Sequence, residues 1–284
     1  MKDRLVSTMY QIAFEIFGKP IHWYGICIAV GFLAATGIML WKKEYAEMTS
    51  DAVFDCAMYA LISGLVGARI FYVVQFWQQD FAGKSFWKVF RVDQGGLVFY
   101  GGFILAILVV MLYARLKKFS ILKILDLVSP AIAIGHTFGR IGCFMQGCCF
   151  GKPAGSSFCG VHYPLASAPA RRYPSLNPLE GSSALYPVQL FESLANLLLC
   201  IFLLYLFKKV KRPGCIAGIY LMFYAAIRFV MEFFRGDHTH KILEMTPSQF
   251  IALCVMLPVG AAVFAWGWIS YTKKQGEIHE QIGE

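Results

Sequence analysis

Charged residues are scarce in this sequence of 284 residues. They make up 15% of the chain, against 58% for hydrophobic residues, whereas soluble globular domains carry about a quarter charged residues. This shortage excludes an ordinary soluble domain and indicates that a bilayer surrounds much of the chain. Acidic residues are fewer than basic ones, at 17 against 26. Because most Lys and Arg stand beside apolar runs, the positive charge favours anionic lipid headgroups as its partner, with no nucleic acid expected.

Other features are missing as well. The N-terminus lacks the order of basic region, short apolar stretch and small-residue cleavage site that marks a removable signal peptide, so we expect the first apolar run to stay in the protein. The sequence has no repeat at the periods of solenoid proteins and no pair of matched halves like those of many secondary transporters. We therefore expect one transmembrane domain over residues 1–284.

What the sequence does contain is a series of long apolar runs. A hydrocarbon core of about 30 Å needs about 20 apolar residues in helical form. About seven windows meet this length, at 23–41, 52–77, 97–113, 121–138, 188–207, 215–234 and 250–271. The sequence therefore predicts an all-α polytopic membrane protein with about seven transmembrane helices.

Basic residues in short connections indicate the orientation of these helices. They follow alternate spans, as Lys42 and Lys43, then Arg115, Lys117 and Lys118, then Lys208, Lys209, Lys211 and Arg212, and finally Lys273 and Lys274. The positive-inside rule predicts an N-terminus outside and a C-terminus in the cytoplasm. Loops 78–96, 139–186 and 235–248 then face outward. The stretch 151–186, rich in Pro, Ser, Gly and Ala, is predicted to form an outer loop or a small cap.

Ionisable residues inside the apolar spans indicate a polar site. They are Arg69, Arg140, Glu192, Arg228 and Glu232, and each costs about 2.5–3.5 kcal/mol or more at the centre of a membrane helix. A structural ion pair between Arg228 and Glu232, and guanidiniums of Arg69 and Arg140 that reach the interface, are the plainer interpretations. Against them, Arg140, Glu192 and Arg228 all fall in the outer halves of their spans. Two guanidiniums in one cavity there would suit the phosphate of a phospholipid.

Five ordered motifs connect this pattern to a known family. They are Gly-Ala-Arg-Ile-Phe-Tyr at 67–72, Gly-Gly-Leu-Val-Phe-Tyr-Gly-Gly at 95–102, Gly-Arg-Ile-Gly at 139–142 with Gly151, Tyr-Pro-Val-Gln-Leu-Phe-Glu at 186–192, and the segment 224–235 that contains Arg228, Glu232 and Arg235. With these motifs the chain resembles the bacterial prolipoprotein diacylglyceryl transferases over nearly its whole length.

The resemblance implies an enzyme of the bacterial inner (cytoplasmic) membrane. It would transfer the diacylglyceryl group of phosphatidylglycerol to the thiol of a lipobox cysteine in a lipoprotein precursor, and it would release glycerol phosphate. The resemblance implies no metal, nucleotide or other cofactor, and we expect a monomer.

The resemblance also implies site residues. Arg140 and Arg228 would stabilise the departing phosphate, and Glu192 would orient them or act as a base. Tyr100, the fourth expected catalytic residue, stands where the family usually has a histidine. The expected substrate-binding residues are Arg69, Gly101, Gly102, Gly142, Gln189, Tyr224, Glu232 and Arg235. The glycines would allow close approach of lipid to the backbone, or would simply pack helices together.

The chain departs from the family pattern in its thiols. Cys143 and Cys148 occupy positions where the family typically has Asn and Glu, and Cys149 and Cys159 lie close by in the sequence. One or two disulfides, a metal site completed by His136 or His162, and a reactive thiol are all compatible with this possible thiol cluster.

Three alternative functions stay open at this point. The thiol cluster could belong to a membrane thiol-disulfide or metal-handling protein. The scaffold could also serve a transferase with another acceptor, or a non-catalytic protein that binds or transports lipid.

Overall fold

The computed structural model describes residues 11–91, 95–155, 159–177, 181–237 and 245–282, and for Phe99 and residues 273–282 it describes the backbone alone. The chain divides into two compact units. Unit 1 comprises Met1–Ile38 with Leu125–Glu284, and unit 2 comprises Met39–Ile124. Each unit is described by itself below.

Helices make up most of the described chain. In order, the elements are β1 (Ile12–Ile16), β2 (Lys19–His22), α1 (Trp23–Lys42), α2 (Ser50–Gln75), α3 (Phe99–Leu116), α4 (Ile121–Gln146), α5 (Ala168–Arg172), α6 (Val188–Leu206), α7 (Cys215–Glu232), α8 (Pro247–Ile251) and α9 (Leu257–Ile282). Short 3-10 or π turns occupy Lys43–Ala46, Trp77–Phe81, Phe86–Phe90 and Ala252–Met256.

Six helical segments are long and apolar enough to cross a membrane. They are Trp23–Ala46, Ser50–Gln75, Ile121–Gln146, Val188–Leu206, Cys215–Glu232 and Pro247–Thr272, and a shorter apolar helix covers Tyr100–Leu116. The prediction of an all-α, multi-pass membrane protein is confirmed, and the seven predicted windows correspond to these seven helices. The fourth span extends beyond its predicted end at residue 138, so Arg140 lies within α4. The orientation of the termini stays a prediction.

A small hairpin before the first span was not predicted. Strands β1 and β2 pair antiparallel, with Ile16 opposite Lys19. Phe17 and Gly18 form the turn with φ values of 49° and 72°. Two consecutive positive φ angles are the mark of the tight turns that match the twist of a hairpin, and glycine at the second position makes the turn accessible.

Close backbone approach joins α2 and α3 in unit 2. A Cβ added at Gly67 would lie 2.5 Å from the carbonyl oxygen of Gly101, and one at Gly102 would lie 2.5 Å from that of Gly64. Small residues at such crossings allow membrane helices to pack tightly without a hydrophobic driving force.

Unit 1 is built around α4, α6 and α7. Ala133, Leu199, Leu203, Ile216 and Tyr220 are buried together in its core. The carboxylate of Asp126 in α4 accepts hydrogen bonds from the main-chain N–H groups of Gly214 and Ala217, at 2.7 and 2.8 Å. These donors open α7 and would otherwise have no helical partner, so the buried aspartate fixes the start of α7 against α4.

The stretch 151–186 has tertiary structure of its own. Phe150, Tyr163 and Leu185 form a small buried cluster, and the main chain pairs between Val161 and Leu185. The short helix α5 follows Ser167, whose hydroxyl caps it. The small cap and its outward location both stay predictions.

Candidate active site

Six charged side chains of unit 1 alternate in sign along one line, which we call the charge chain. Its members in spatial order are Arg140, Glu192, Arg228, Glu232, Arg235 and Asp237. Glu192 stands between two arginines, with its Oε1 atom 2.9 Å from Nη2 of Arg140 and 3.4 Å from Nη1 of Arg228. The family motifs at the ends of α4, α6 and α7 therefore meet at one carboxylate.

The second half of the charge chain follows from the helical repeat of α7. Arg228 and Glu232 are four residues apart on one face, and their Nη2 and Oε2 atoms are 3.1 Å apart. Arg235, just past the end of α7, lies 3.9 Å from Glu232 and donates two hydrogen bonds to Asp237, at 2.9 and 2.7 Å. The predicted pair of Arg228 and Glu232 is confirmed as part of this longer array.

Burial decides which members of the charge chain can meet a substrate. The side chains of Glu192 and Glu232 are 1% and 0% exposed, whereas those of Arg140 and Arg228 are 18% and 12% exposed. Buried charges persist only where they are paired and hydrogen-bonded. The carboxylates thus hold the arginines in place, and the two guanidiniums keep the accessible edges that an anionic group could contact.

Residues around the two arginines complete the site. The Arg140 guanidinium lies near the Tyr224 hydroxyl, and the Tyr224 ring stacks on His136 with centroids 4.9 Å apart. The Ser248 hydroxyl accepts a hydrogen bond from Nη2 of Arg228 at 2.9 Å. The sequence predicted Tyr224 here but considered His136 only as a metal ligand. Its position one helical turn before Arg140 was the available signal, while nothing pointed to Ser248.

Three of the four outer cysteines come together at the end of α4. The Sγ atoms of Cys143, Cys148 and Cys149 lie within 4.8 Å of one another, and all three are free thiols. We call these residues the three-thiol site. Cys159 lies outside the group. The disulfide, the metal site and the reactive thiol all stay predictions for these residues.

Backbone geometry explains why these thiols meet. The N–H of Cys148 donates to the Cys143 carbonyl and that of Gly147 to the Phe144 carbonyl, both at 3.1 Å, with φ at Gly147 of 72°. This is the Schellman pattern that closes a helix and brings the residue after the glycine back over the last turn. Cys149 also has a positive φ of 58°, which is uncommon for a residue with a side chain.

Hydrogen bonds and nearby arginines act on the thiols beyond α4. Contacts from Cys143 and Cys148 lower the pKa of Cys149, and Arg235 and Arg140 lower it further, although burial opposes them. The hydrogen bonds to Cys143 and Cys149, together with burial, raise the pKa of Cys148. The three-thiol site therefore favours a thiolate at Cys149.

Gln189, an expected substrate-binding residue, holds the chain that carries the thiols. Its Nε2 atom donates to the Cys148 carbonyl at 2.7 Å, and its Oε1 atom accepts from the Tyr163 hydroxyl at 3.2 Å. Gln189 is 0% exposed. Burial raises the pKa of Tyr163 to about 12, so its hydroxyl stays a donor at neutral pH. Contact of Gln189 with a headgroup stays a prediction.

Two motif glycines of unit 1 allow close packing. A Cβ added at Gly142 would lie 3.1 Å from the Tyr24 ring and 3.2 Å from Cβ of Cys27. One added at Gly151 would lie 2.3 Å from the Tyr186 carbonyl oxygen. Tyr24, which the sequence did not single out, therefore packs on the same turn of α4 that carries Arg140.

The remaining expected residues belong to unit 2. Arg69 donates to four main-chain carbonyls, those of Lys88, Val89, Gly95 and Gly96, at 2.7–3.0 Å. This arginine therefore ties residues 88–89 to residues 95–96, and its contact with substrate stays a prediction.

Tyr100 and its neighbouring glycines open α3. The Tyr100 side chain is 54% exposed. A Cβ at Gly101 would lie 2.4 Å from atoms of Phe71, and Gly102 contacts α2 in the same way. The packing interpretation of these two glycines is thus what the structure shows, and catalysis by Tyr100 stays a prediction.

Comparison with known proteins adds independent information. A model of the prolipoprotein diacylglyceryl transferase family matches residues 11–266. The chain is 33% identical over 258 residues to the phosphatidylglycerol--prolipoprotein diacylglyceryl transferase of Clostridium tetani, a match that covers 90% of this chain and 97% of the relative. It is 32% identical over 243 residues to the second such transferase of Clostridium perfringens, covering 86% and 90%. The corresponding Finegoldia magna protein is 30% identical over 250 residues, covering 88% and 92%.

Proposed function

Since this chain belongs to the prolipoprotein diacylglyceryl transferase family, we propose that it transfers the diacylglyceryl group of phosphatidylglycerol to a cysteine thiol of a prolipoprotein. The charge chain is the observation that connects this function with particular residues. Two partly buried arginines joined through Glu192 leave guanidinium edges available to a phosphate, as the reaction requires.

The chemistry explains why paired arginines are useful. The acceptor sulfur attacks the glyceryl carbon, a C–S bond forms, and the C–O bond to phosphate breaks with its electrons on oxygen. The phosphodiester carries one negative charge, and the departing glycerol phosphate gains a second. Donors fixed beside that oxygen stabilise the transition state more than the bound lipid. Arg140 and Arg228 fit this role because a guanidinium can donate two parallel hydrogen bonds to phosphate.

Glu192 acts on the substrate through the arginines. Both of its close charged contacts are guanidiniums, and it is almost fully buried. It therefore serves as a positioning residue that keeps Arg140 and Arg228 directed to the same region. Glu232 and Arg235 support Arg228 from the other side, and Tyr224 supports Arg140.

The family and the apolar helices support a location in a membrane. We place the enzyme in the bacterial inner membrane, with its N-terminus outside, its C-terminus in the cytoplasm and the cap at 151–186 on the outer side. We also expect a monomer.

The experiment uses the purified full-length protein, phosphatidylglycerol vesicles and a lipobox peptide. The expected product is the peptide with a diacylglyceryl thioether, detected by mass, and a peptide with Ser in place of the Cys should remain unmodified. Arg140→Ala should lower the rate about 10²–10³-fold, the loss typical of one transition-state donor. Tyr100→Phe tests the expected catalytic tyrosine, and Arg171→Ala, at an exposed arginine, is the matched control. Absence of product with the wild-type protein would overturn the proposal.

The three-thiol site favours one rival, a membrane thiol-disulfide or metal-handling protein. Assays of the wild-type protein for lipid attachment and for disulfide exchange separate the two functions. A wild-type protein that exchanges disulfides with a peptide but attaches no lipid would support the rival.

A further inference from the structure

The transfer reaction needs a sulfur nucleophile, and the roles given above to the charge chain include no residue that produces one. The acceptor thiol must lose its proton before it can attack carbon efficiently. Glu192 is enclosed by two arginines, and the expected catalytic residue of unit 2 is a tyrosine. The three-thiol site lies in the same unit as the charge chain and has no role in the mechanism so far.

We propose that Cys143, Cys148 and Cys149 bind a Zn²⁺ ion, and that the acceptor cysteine occupies its fourth position as a thiolate. This inference rests on the proposed function for its second half. A tetrahedral zinc with sulfur ligands at about 2.3 Å has ligands about 3.8 Å apart. The three Sγ atoms already lie within 4.8 Å of one another, so small side-chain rotations would close the site.

The backbone around the three thiols is held from several sides. The Schellman closure of α4 fixes Cys143 relative to Cys148, and Gln189 binds the Cys148 carbonyl at 2.7 Å. Beyond Cys149, the chain pairs with the end of α7, since the Gly236 N–H donates to the Phe150 carbonyl at 3.0 Å. A site whose ligands are placed before the metal arrives loses little entropy on binding it.

The charge around the three-thiol site suits an anionic metal complex. Zinc with three thiolates carries one negative charge, and a fourth thiolate adds another. Arg235 and Arg140 both act electrostatically on Cys149. Such neighbouring cations stabilise the thiolate ligands, and a guanidinium does not compete for the metal.

Three protein ligands and one open position are the usual arrangement of a catalytic zinc, whereas structural zinc has four protein ligands. Among the described residues, the group contains three thiols and no histidine or carboxylate. The open position would face the acceptor. Arg140, which pairs with Glu192, also acts electrostatically on Cys149, so a sulfur held beside Cys149 would lie near the charge chain.

The step balances without an oxidant. The acceptor thiol releases its proton to water as its sulfur binds zinc. The zinc-bound sulfur then forms the C–S bond as the C–O bond to phosphate breaks, and glycerol phosphate departs with the electron pair. The product is a neutral thioether, a weaker zinc ligand than a thiolate, so it leaves the metal and reopens the fourth position. Zinc keeps its oxidation state throughout.

Metal analysis of the purified full-length protein tests the ligands. We expect about one zinc per wild-type chain, and loss of it in the variant with Cys143→Ser, Cys148→Ser and Cys149→Ser. Cys254→Ser, at an exposed cysteine of the last span, is the matched control and should retain the metal. Wild-type protein without zinc, even after incubation with zinc chloride, overturns the site. Zinc that persists in the triple variant does so as well.

Cobalt substitution tests the fourth position on the wild-type chain, and so does not depend on how well the variants fold. Co²⁺ should give the intense absorption of a tetrahedral thiolate site, and the lipobox peptide with Cys should increase its sulfur-to-cobalt band. The Ser peptide should leave the band unchanged. Equal spectra with both peptides would overturn the role of the acceptor as a ligand. A disulfide among the three thiols, found by peptide mapping after alkylation without reductant, would overturn the whole proposal.

The two proposals can fail separately. Lipid transfer at full rate by the triple Ser variant would agree with the proposed function and overturn the catalytic role of zinc. If the wild-type protein binds zinc but transfers no lipid, the metal site is supported and the proposed function is overturned. Arg140→Ala should retain zinc and lose transfer.

Discussion

Replacing Glu192 with Gln should destabilise the protein more than any comparable exposed carboxylate. The side chain keeps its size and its hydrogen-bonding capacity, but the charge between Arg140 and Arg228 is lost. The charge chain then has three arginines against two carboxylates in a buried setting. Removing one partner from a buried ion pair typically costs about 3–5 kcal/mol, because the remaining charge is left uncompensated. Because Arg228 keeps its pairing with Glu232, we expect the free energy of unfolding to fall by about 3 kcal/mol, the lower end of that range.

A double-mutant cycle separates this electrostatic cost from general damage. Arg140→Gln alone leaves one carboxylate in excess, whereas Arg140→Gln combined with Glu192→Gln restores a neutral array. The double variant should therefore be less destabilised than the sum of the single variants, by about 0.5–3 kcal/mol, the range for directly coupled residues. The assay is the free energy of unfolding in mixed detergent micelles titrated with sodium dodecyl sulfate.

Glu47 provides the control for this cycle. It pairs with Lys123, but its side chain is 77% exposed, and such surface pairs contribute about 0–1 kcal/mol. Glu47→Gln should therefore change the unfolding free energy by less than 1 kcal/mol. Equal effects of Glu47→Gln and Glu192→Gln, or strict additivity of the Arg140 and Glu192 variants, would refute the reasoning.

Three further predictions test how the fold supports the site. Gly67→Ala should destabilise the protein by about 1–3 kcal/mol in the same unfolding assay, because its Cβ would lie 2.5 Å from a backbone oxygen of α3. Gly64→Ala is the control and should be nearly neutral, because its Cβ would have no atom closer than 3.9 Å. Asp126→Ala should cost about 1–3 kcal/mol, because two buried N–H groups at the start of α7 lose their acceptor; thermal unfolding measures this. Arg69→Ala removes four hydrogen bonds to the loop at 88–96, so limited proteolysis should cut that loop faster than in the wild type.

The membrane helices could be predicted from the sequence because a bilayer requires each span to have a minimum length and few polar residues. Each predicted span corresponds to a helix, with errors only at the ends. The β hairpin was missed because its strands are short and its turn depends on Phe17 and Gly18, a weak signal. The end of α4 was placed too early because Gly139, Arg140 and Gly142 resemble a loop, although they lie in a helix that packs closely on α1.

The charge chain was only partly predictable. Helical spacing identified the pair of Arg228 and Glu232, and the cost of buried charge identified Arg140 and Glu192. No local pattern could show that Glu192 meets two arginines from different helices, because that depends on tertiary packing. The contact of Ser248 with Arg228 depends on tertiary packing in the same way.

The thiols show the opposite case, in which the residues were identified but their arrangement was not. Their sequence spacing matches no common metal motif. The Schellman closure at Gly147 and the positive φ of Cys149 bring them together, and a glycine after the last apolar residue of a helix was the signal for that closure.

The central claim is that the arginines of the charge chain stabilise the departing phosphate. The most direct test is the steady-state kinetics of Arg140→Gln with phosphatidylglycerol as the varied substrate and a saturating lipobox peptide. Stabilisation of the transition state predicts a fall in kcat of about 10²–10³-fold with a much smaller change in KM. An unchanged kcat with only a raised KM would contradict the account, because Arg140 would then do no more than bind the lipid.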